Sequence, residues 1–387
     1  MVEFRSRAQI LLAKIQSAAG TEVTPSVSTD AVVNRMPVVL RAPFETHETD
    51  YVTGTMSAGP PIIGGGYAEM DIPMNVRGKG NADLDALLRC CGLSATTLSS
   101  AQTGTATAGS ASTITLASGA STVDGAYTGM PLRITAGTGA GGTWVVSGYV
   151  GSTKVATLVG AAVTPDTTSV YSIDACVLYK PVSAANELVT LHHHQRSSVA
   201  SGQSHRFRLF DAVGSFKLAI KPRQLANIDF TVRGKLSATP DDVSDPGAAT
   251  YPTGLPVPTM GAQVFLGGTQ IRFTDFSFDL GADLQMFADP SATFGYDSAA
   301  IVSRKPSGSI EPDLTRNSTR NAFSTWLAST DQSFWMQWGG TAGAKASFWM
   351  PTVRLTGNDR SDAAGFVSEK LPFRAYGPDA ELYICLG

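Results

Sequence analysis

From Tyr67 to Arg77 the chain reads YAEMDIPMNVR, and the residue type alternates strictly. Ala68, Met70, Ile72, Met74 and Val76 fall on one side, with Tyr67, Glu69, Asp71, Asn75 and Arg77 on the other. A repeat of two is the side-chain period of an extended strand. Carboxylates on one face and methionine on the other require a sheet with one face against a core and one in water. Antiparallel sheets allow this, whereas a parallel sheet covered on both faces by helices does not. Composition points the same way. Charged residues make up 16% of the chain, below the usual quarter or so, and 39 glycines supply turns rather than helices.

Further extended segments are predicted at 36–44, 176–180, 188–196, 205–211, 214–221, 226–236, 262–266, 271–280, 299–305, 346–355, 366–376 and 381–386. Helical spacing is confined to three places. Ala8, Leu11, Leu12 and Ile15 suggest a short N-terminal amphipathic helix or arm over 8–18. NADLDALLRCCG sets Leu84, Leu87, Leu88 and Cys91 on one face, with Asn81 or Asp83 as N-cap and Gly92 as terminator. STRNAFSTWLAS groups Phe323, Trp326 and Leu327, with Ser318 as a cap. Two segments lack periodicity, 46–67 and the acidic, Pro-rich 238–258. A loop of some twenty residues in a compact domain is usually functional.

At about residue 100 the composition changes. Ser100 to Ile173 holds four charges (Asp124, Arg133, Lys154, Asp166) against twelve glycines, and short apolar runs alternate with turn residues. This predicts a small all-β domain, 100–174, inserted between the two parts of a parent domain, 1–99 and 175–387. The fold expected is therefore mainly β: an antiparallel β-sandwich or barrel with one or two flanking α-helices, plus the insert.

Enzyme signatures are scarce. Gly64–Gly66 and RGKG at 77–80 lack the ending and context of a phosphate loop, and no nucleophile elbow or HExxH string occurs. No cofactor is implied. A net charge of −3 gives no basic footprint for specific nucleic-acid binding. Cys90, Cys91, Cys176 and Cys385 show no metal spacing and are read as reduced thiols. The N-terminus lacks the apolar core and cleavage site of a secretory signal, and no apolar run reaches 18 residues.

Three consecutive histidines, His192 to His194, stand in VTLHHHQRSSVASGQSHRFRLF. This segment predicts a hairpin turning near Ser197–Ser204, with Leu191 opposite Leu209, His193 opposite Phe207 and Gln195 opposite His205. His193 then shares an apolar face with Val189, Leu191, Phe207 and Leu209. The other face carries Thr190, His192 and His194 beside Arg206 and Arg208, a basic face turned to solvent or to an interface. His192 and His194 have the spacing of a strand chelate, but two guanidiniums oppose a dication and no acid lies nearby in sequence. If this basic face meets an acidic partner on the next subunit, assembly is expected to respond to pH near 6, where the imidazoles titrate.

Several segments, in order, resemble the major tail tube proteins of tailed bacteriophages: ILLAKIQSAAGTEVTPSVSTDAV (10–32), ADLDALLRCCGLSAT (82–96), DAVGSFKLAIKPRQLANIDFTVRGKL (211–236), FSFDLGADLQMFAD (276–289), AAIVSRKPSGSIEPDL (299–314) and the closing LPFRAYGPDAELYICL. The family's Ala-Arg-Gly reads Ala212-Val213-Gly214 here, so no arginine role carries over. The insert resembles a small β module of phage structural proteins. The resemblance implies hexameric rings stacked into a tube that conducts genomic DNA without binding it. It implies location in the virion tail, assembly in the host cytoplasm, no membrane, and tape measure, tail terminator and distal tail proteins as partners. It gives the 46–67 loop a purpose, with Tyr51, Met56, Pro60, Pro61, Ile62 and Ile63 as contacts to a neighbouring subunit or ring; Leu11 and Ile15 on the N-terminal arm are further candidates. The insert is expected outside the tube, where it would obstruct a sheath, which favours a non-contractile, siphophage-type tail. A competing reading is a receptor- or glycan-binding virion protein using Trp144 and Tyr149 of the insert.

Overall fold

The computed structural model describes residues 4–49, 51, 52, 54, 56–159, 163–184, 186–197, 202–341, 343–363 and 365–387. The first part of the chain forms β1 (Phe4–Ile15), β2 (Val39–Arg41), β3 (Phe44–His47), β4 (Ile62–Gly66), β5 (Ala68–Asn75), α1 (Ala82–Cys90) and β6 (Leu93–Leu98). Next come β7 (Gln102–Thr105), β8 (Ala108–Gly109), β9 (Thr113–Thr115), β10 (Pro131–Ala136), β11 (Thr143–Val150), β12 (Val155–Val159) and β13 (Val170–Ile173). The chain continues through β14 (Cys176–Pro181), β15 (Val189–Ser197), β16 (Gln203–Ile220), β17 (Asn227–Leu236), β18 (Asp241–Ser244), β19 (Gln263–Leu266), β20 (Thr269–Gln270), β21 (Phe273–Asp279), β22 (Ala282–Ala288), β23 (Tyr296–Arg304) and β24 (Ser307–Pro312). It closes with α2 (Ala322–Leu327), β25 (Gln332–Thr341), β26 (Ala344–Leu355), β27 (Asp359–Ala363), β28 (Phe366–Ala375) and β29 (Tyr383–Leu386).

Two layers enclose the main core. One runs β2-β5-β17-β16-β21-β24-β28 and the other β6-β14-β29-β26-β25-β19-β20. They join where Val353–Leu355 pairs with Phe373–Ala375. The alternation read at 67–77 is realised in β5, whose Ala68, Met70, Ile72 and Met74 are fully buried. Between the layers, Phe276 stacks on Phe334 with ring centres 5.0 Å apart, and Phe278 meets Phe348 edge-on at 4.9 Å. Such aromatic pairs add specific geometry to simple area burial. β16 unites two segments expected as separate strands. It bends at buried Asp211, whose φ is +49°, where its register with β17 slips between Phe210 and Val213, a bulge re-aiming one long strand.

The N-terminal segment is a strand, not the helix its spacing suggested. β1 pairs with β15 from Ile10–His194 to Ile15–Val189. Leu11 and Ala13 enter the main core, while Ile10 and Leu12 are covered from the other side by Ala31, Val27 and Ala249. An apolar run buried on both faces loses the period of two and imitates a helical stripe. α1 matches expectation, and Gly92 ends it at φ +75°. Asn81 stands at its N-cap position without a side-chain cap bond. α2 is capped by Asn321, which accepts from the Ser324 amide at 2.9 Å, rather than by Ser318. It buries Ala322 and leaves Phe323 and Leu327 exposed.

The strands β7 to β13 form a separate seven-stranded sheet, β7-β13-β10-β11-β12-β9-β8, with Ile114, Leu132, Ile134, Trp144, Val146 and Tyr171 buried in a core that Cys176, Leu178 and Cys385 of the parent complete. It is seated firmly on the parent. Val145 lies against Trp335 and Trp349 on the outer side of the second layer. Asp174 accepts from Lys345 on the parent and lies 3.8 Å from Arg133 on the insert.

Candidate assembly surfaces

The expected loop at 46–67 is closed at its base by a short hairpin, and the described residues between His47 and Ile62 belong to no strand or helix. β4 runs through Tyr67 into β5 and folds back on β3, with Phe44 opposite Gly66 and His47 opposite Ile62. Its IIGGG sequence carried no strand signal, since glycine has no side chain to show a period. The root is fixed: Phe44 meets Phe294 edge-on at 6.0 Å, the Gly66 amide donates to the Phe294 carbonyl at 2.9 Å, and the Tyr296 hydroxyl donates to Glu45 at 2.9 Å. A Cβ at Gly66 would stand 2.4 Å from the Phe44 ring, so only glycine lets the strands close here. Beyond the root the arm is apolar and uncovered. Tyr51 is 70% exposed, Met56 108%, Ile62 55% and Ile63 71%, and Val52 at 104% joins them. Pro60 and Pro61 are exposed as well. Asp50, Thr53 and Thr55 lie outside the described residues. On the N-terminal segment, Ile15 is half-buried and Leu11 is wholly buried in its own chain, so Leu11 is not presented to a neighbour.

The hairpin of β15 and β16 has the register read from sequence: Leu191–Leu209, His193–Phe207 and Gln195–His205. Residues 198–201 of its turn lie outside the described residues. Its second face, however, is not solvated. His192, His193 and His194 are all buried, because the segment carrying Glu22 and Val27 crosses over it. Glu22 lies 3.1 Å from His192 Nε2 and 3.2 Å from Arg208 Nη1, and accepts from the Ser237 hydroxyl at 2.5 Å. Arg206 is held by Asp241 at 2.6 Å. The acidic partners sought on a neighbouring subunit are thus supplied within the chain, from positions too far away in sequence to be linked by reading it. Burial alone would raise the Glu22 carboxyl, but Ser237, Arg208 and His192 together bring it below its ordinary value. Burial lowers His192. Burial and the adjacent His194 lower His193 to about 4, and burial with His192 and Arg206 lowers His194 to about 4. The expected titration near pH 6 is displaced downward. The ring nitrogens also diverge: His193 Nε2 meets Gln9 at 2.8 Å and His194 Nδ1 meets Ser204 at 3.1 Å.

A third surface is the outer face of the first layer. Rows of side chains cross its strands: Asp71, Thr231 and Ser215; then Pro73, Asp229, Lys217, Asp279 and Ser307; then Asn75, Asn227, Ala219, Ser277 and Ser309. The β22–β23 hairpin covers only the end near Val213 and Arg233. Four cations on or beside the open part are matched by carboxylates: Arg35 with Asp229 at 2.8 Å, Lys217 with Asp279 at 3.2 Å, Lys221 with Asp275 at 3.0 Å, and Arg41 with Glu69 at 2.7 Å and with Asp71. Single exposed pairs add little stability. Their effect here is on potential across the central strands, where these cations meet carboxylates; at the edge of the layer, exposed Arg374 of β28, opposite Ser307, has no carboxylate partner among the described residues.

The insert lies on the opposite side of the sandwich, against the second layer. Its Trp144 and Tyr149 are buried in its core and offer no groove for a glycan, which removes the feature that would have favoured a receptor-binding role. All four cysteines are free and buried. Burial and contact with Cys90 raise the Cys91 thiol, while contact with Cys176 and burial raise Cys385, which suppresses thiolate reactivity. Among the described residues, no helix is long and apolar enough to cross a membrane.

In comparison with known proteins, one family model, described as phage tail tube protein, matches residues 6–375, across both parts of the parent and the insert. No curated protein matches the chain.

Proposed function

This chain belongs to the phage tail tube protein family, and on that premise we propose that its copies form hexameric rings, stacked as the tube through which genomic DNA passes. The polar outer face of the first layer lines the channel, and this surface is the observation that supports the reading. A conduit must not hold its cargo. Lysines and arginines free to neutralise phosphates release counterions and bind duplex DNA, whereas cations already matched by Asp229, Asp279, Asp275, Glu69 and Asp71 have little to gain from a phosphate. The insert, on the opposite side of the sandwich, then stands outside the tube, where it would obstruct a contractile sheath; a non-contractile tail follows. The exposed arm reaches a neighbouring copy, and the tape measure, terminator and distal tail proteins meet the tube along its lumen and at its ends.

The test is an Asp229→Asn, Asp279→Asn double variant, which leaves Arg35 and Lys217 without their carboxylates while keeping side-chain shape. Wild-type protein should give stacked rings by negative-stain microscopy and retain little duplex DNA. Variant tubes should retain it, with affinity falling steeply as salt rises. Equal DNA retention by variant and wild type would refute the lining, and discrete monomers or trimers of wild type would refute the tube.

A further inference from the structure

We propose that the apolar arm of one copy seats in a specific groove on the next, a cleft of about 890 Å³ bounded by Ile271, Arg272, Leu314, Thr319, Phe366 and Val367. The proposal rests on the tube reading and identifies the partner surface within it.

Position is the first argument. The arm enters β5 at Ala68, which pairs with Gly234 at the C-terminal end of β17. The other end of β17, Asn227, pairs with Ala219 of β16, and Ala219 pairs with Ser277 of β21. β21 begins beyond that point, at Phe273 and Thr274, beside the cleft. Arm and cleft therefore lie at opposite ends of the same strands, roughly 30 Å apart for a strand of this length. A contact between unlike surfaces at opposite ends of a molecule repeats from copy to copy without closing, as stacking requires.

Chemistry is the second argument. The arm presents Tyr51, Val52, Met56, Ile62 and Ile63 to solvent. The cleft offers apolar surface from Phe366, 76% exposed, Val367 and Leu314. Beside it, the Arg272 side chain is 93% exposed, with its carboxylate partner Asp313 at 3.6 Å. Arg320 is already held by Glu369 at 2.8 Å and shapes the floor. Clustered exposed apolar side chains are unusual on a lone soluble protein and mark contact sites. Here two such clusters, one protruding and one recessed, offer apolar surface to each other from opposite ends of the molecule.

The experiment places the photo-crosslinking residue p-benzoyl-phenylalanine at Met56, in tubes assembled from purified protein or isolated from virions, and maps adducts by mass spectrometry. Adducts from Met56 to peptides containing 262–274, 313–320 or 366–367 of another copy are expected. Tubes that form normally but crosslink elsewhere would overturn the groove and leave the tube reading intact, whereas wild-type protein that forms no tubes would overturn the tube reading. In parallel, Phe366→Asp alters a side chain that is mostly exposed. It should keep the monomer's circular dichroism and thermal midpoint while cutting tube yield at least tenfold; unchanged yield would overturn the proposal.

Discussion

Acidification from pH 7 to pH 5 should destabilise the unassembled protein through the buried histidines. In the folded chain His193 and His194 take up a proton only near pH 4, while in the unfolded chain they do so near 6.5. Between these values the unfolded state binds more protons, so stability falls as pH falls, and below about 4 these groups cost nothing further. At pH 5 the difference amounts to about 2 kcal/mol per imidazole, or about 3–4 kcal/mol for the adjacent pair. That is a large part of a total of roughly 5–15 kcal/mol. His192, lowered in the same direction, adds to it. Carboxylates with depressed folded values, such as Glu22 and Asp241, lose their stabilisation only as pH approaches their unfolded values near 4. The window from 7 to 5 therefore isolates the imidazoles. Denaturant midpoints measured at both pH values, at a concentration where light scattering shows monomer, should drop for wild type. They should drop much less for a His193→Gln, His194→Gln variant, whose amides can still meet Gln9 and Ser204. An equal drop in both proteins would refute the assignment.

Two other perturbations follow from buried contacts. Asp83→Asn removes the charge opposite fully buried Arg77 and weakens the acceptor of the Val33 amide. Leaving a buried guanidinium uncompensated should cost about 3–5 kcal/mol, read as a fall in denaturant midpoint. Trp335→Ala empties the seam where Trp335 stacks on Phe265 at 5.4 Å and donates to Ser347 at 3.0 Å. It should cost about 3–5 kcal/mol and speed proteolytic cleavage at the junctions near residues 100 and 174; unchanged cleavage would show that the insert is held by other contacts.

What could be read from sequence was whatever one strand pair or one helix decides alone. The histidine hairpin's register followed from matching apolar positions across a turn, and the burial of β5 followed from its own alternation. What escaped reading depended on elements brought together over long distances. β1 is buried on two faces because 22–31 and 249 cover it, so its pattern imitated a helix. The basic face of β15 and β16 was neutralised by Glu22 and Asp241, which no local signal ties to it. β4 was hidden by its glycines. In α2 the buried position is the small Ala322 and Trp326 packs partly against the core, whereas Phe323 and Leu327, read on the same side as Trp326, are exposed.

The placement of a protruding arm at one end of the strands and a recess at the other gives the molecule a direction. Any row of copies joined through these two features is a vector, with arms pointing all one way and one spare element of each kind left over at its extremities. Growth at the two extremities would then proceed by different chemistry, and a single capping protein could not fit both. One terminator must supply a recess and the other a plug. The orientation of such a polymer would thus be set at the first residues of β5 and the first residues of β21.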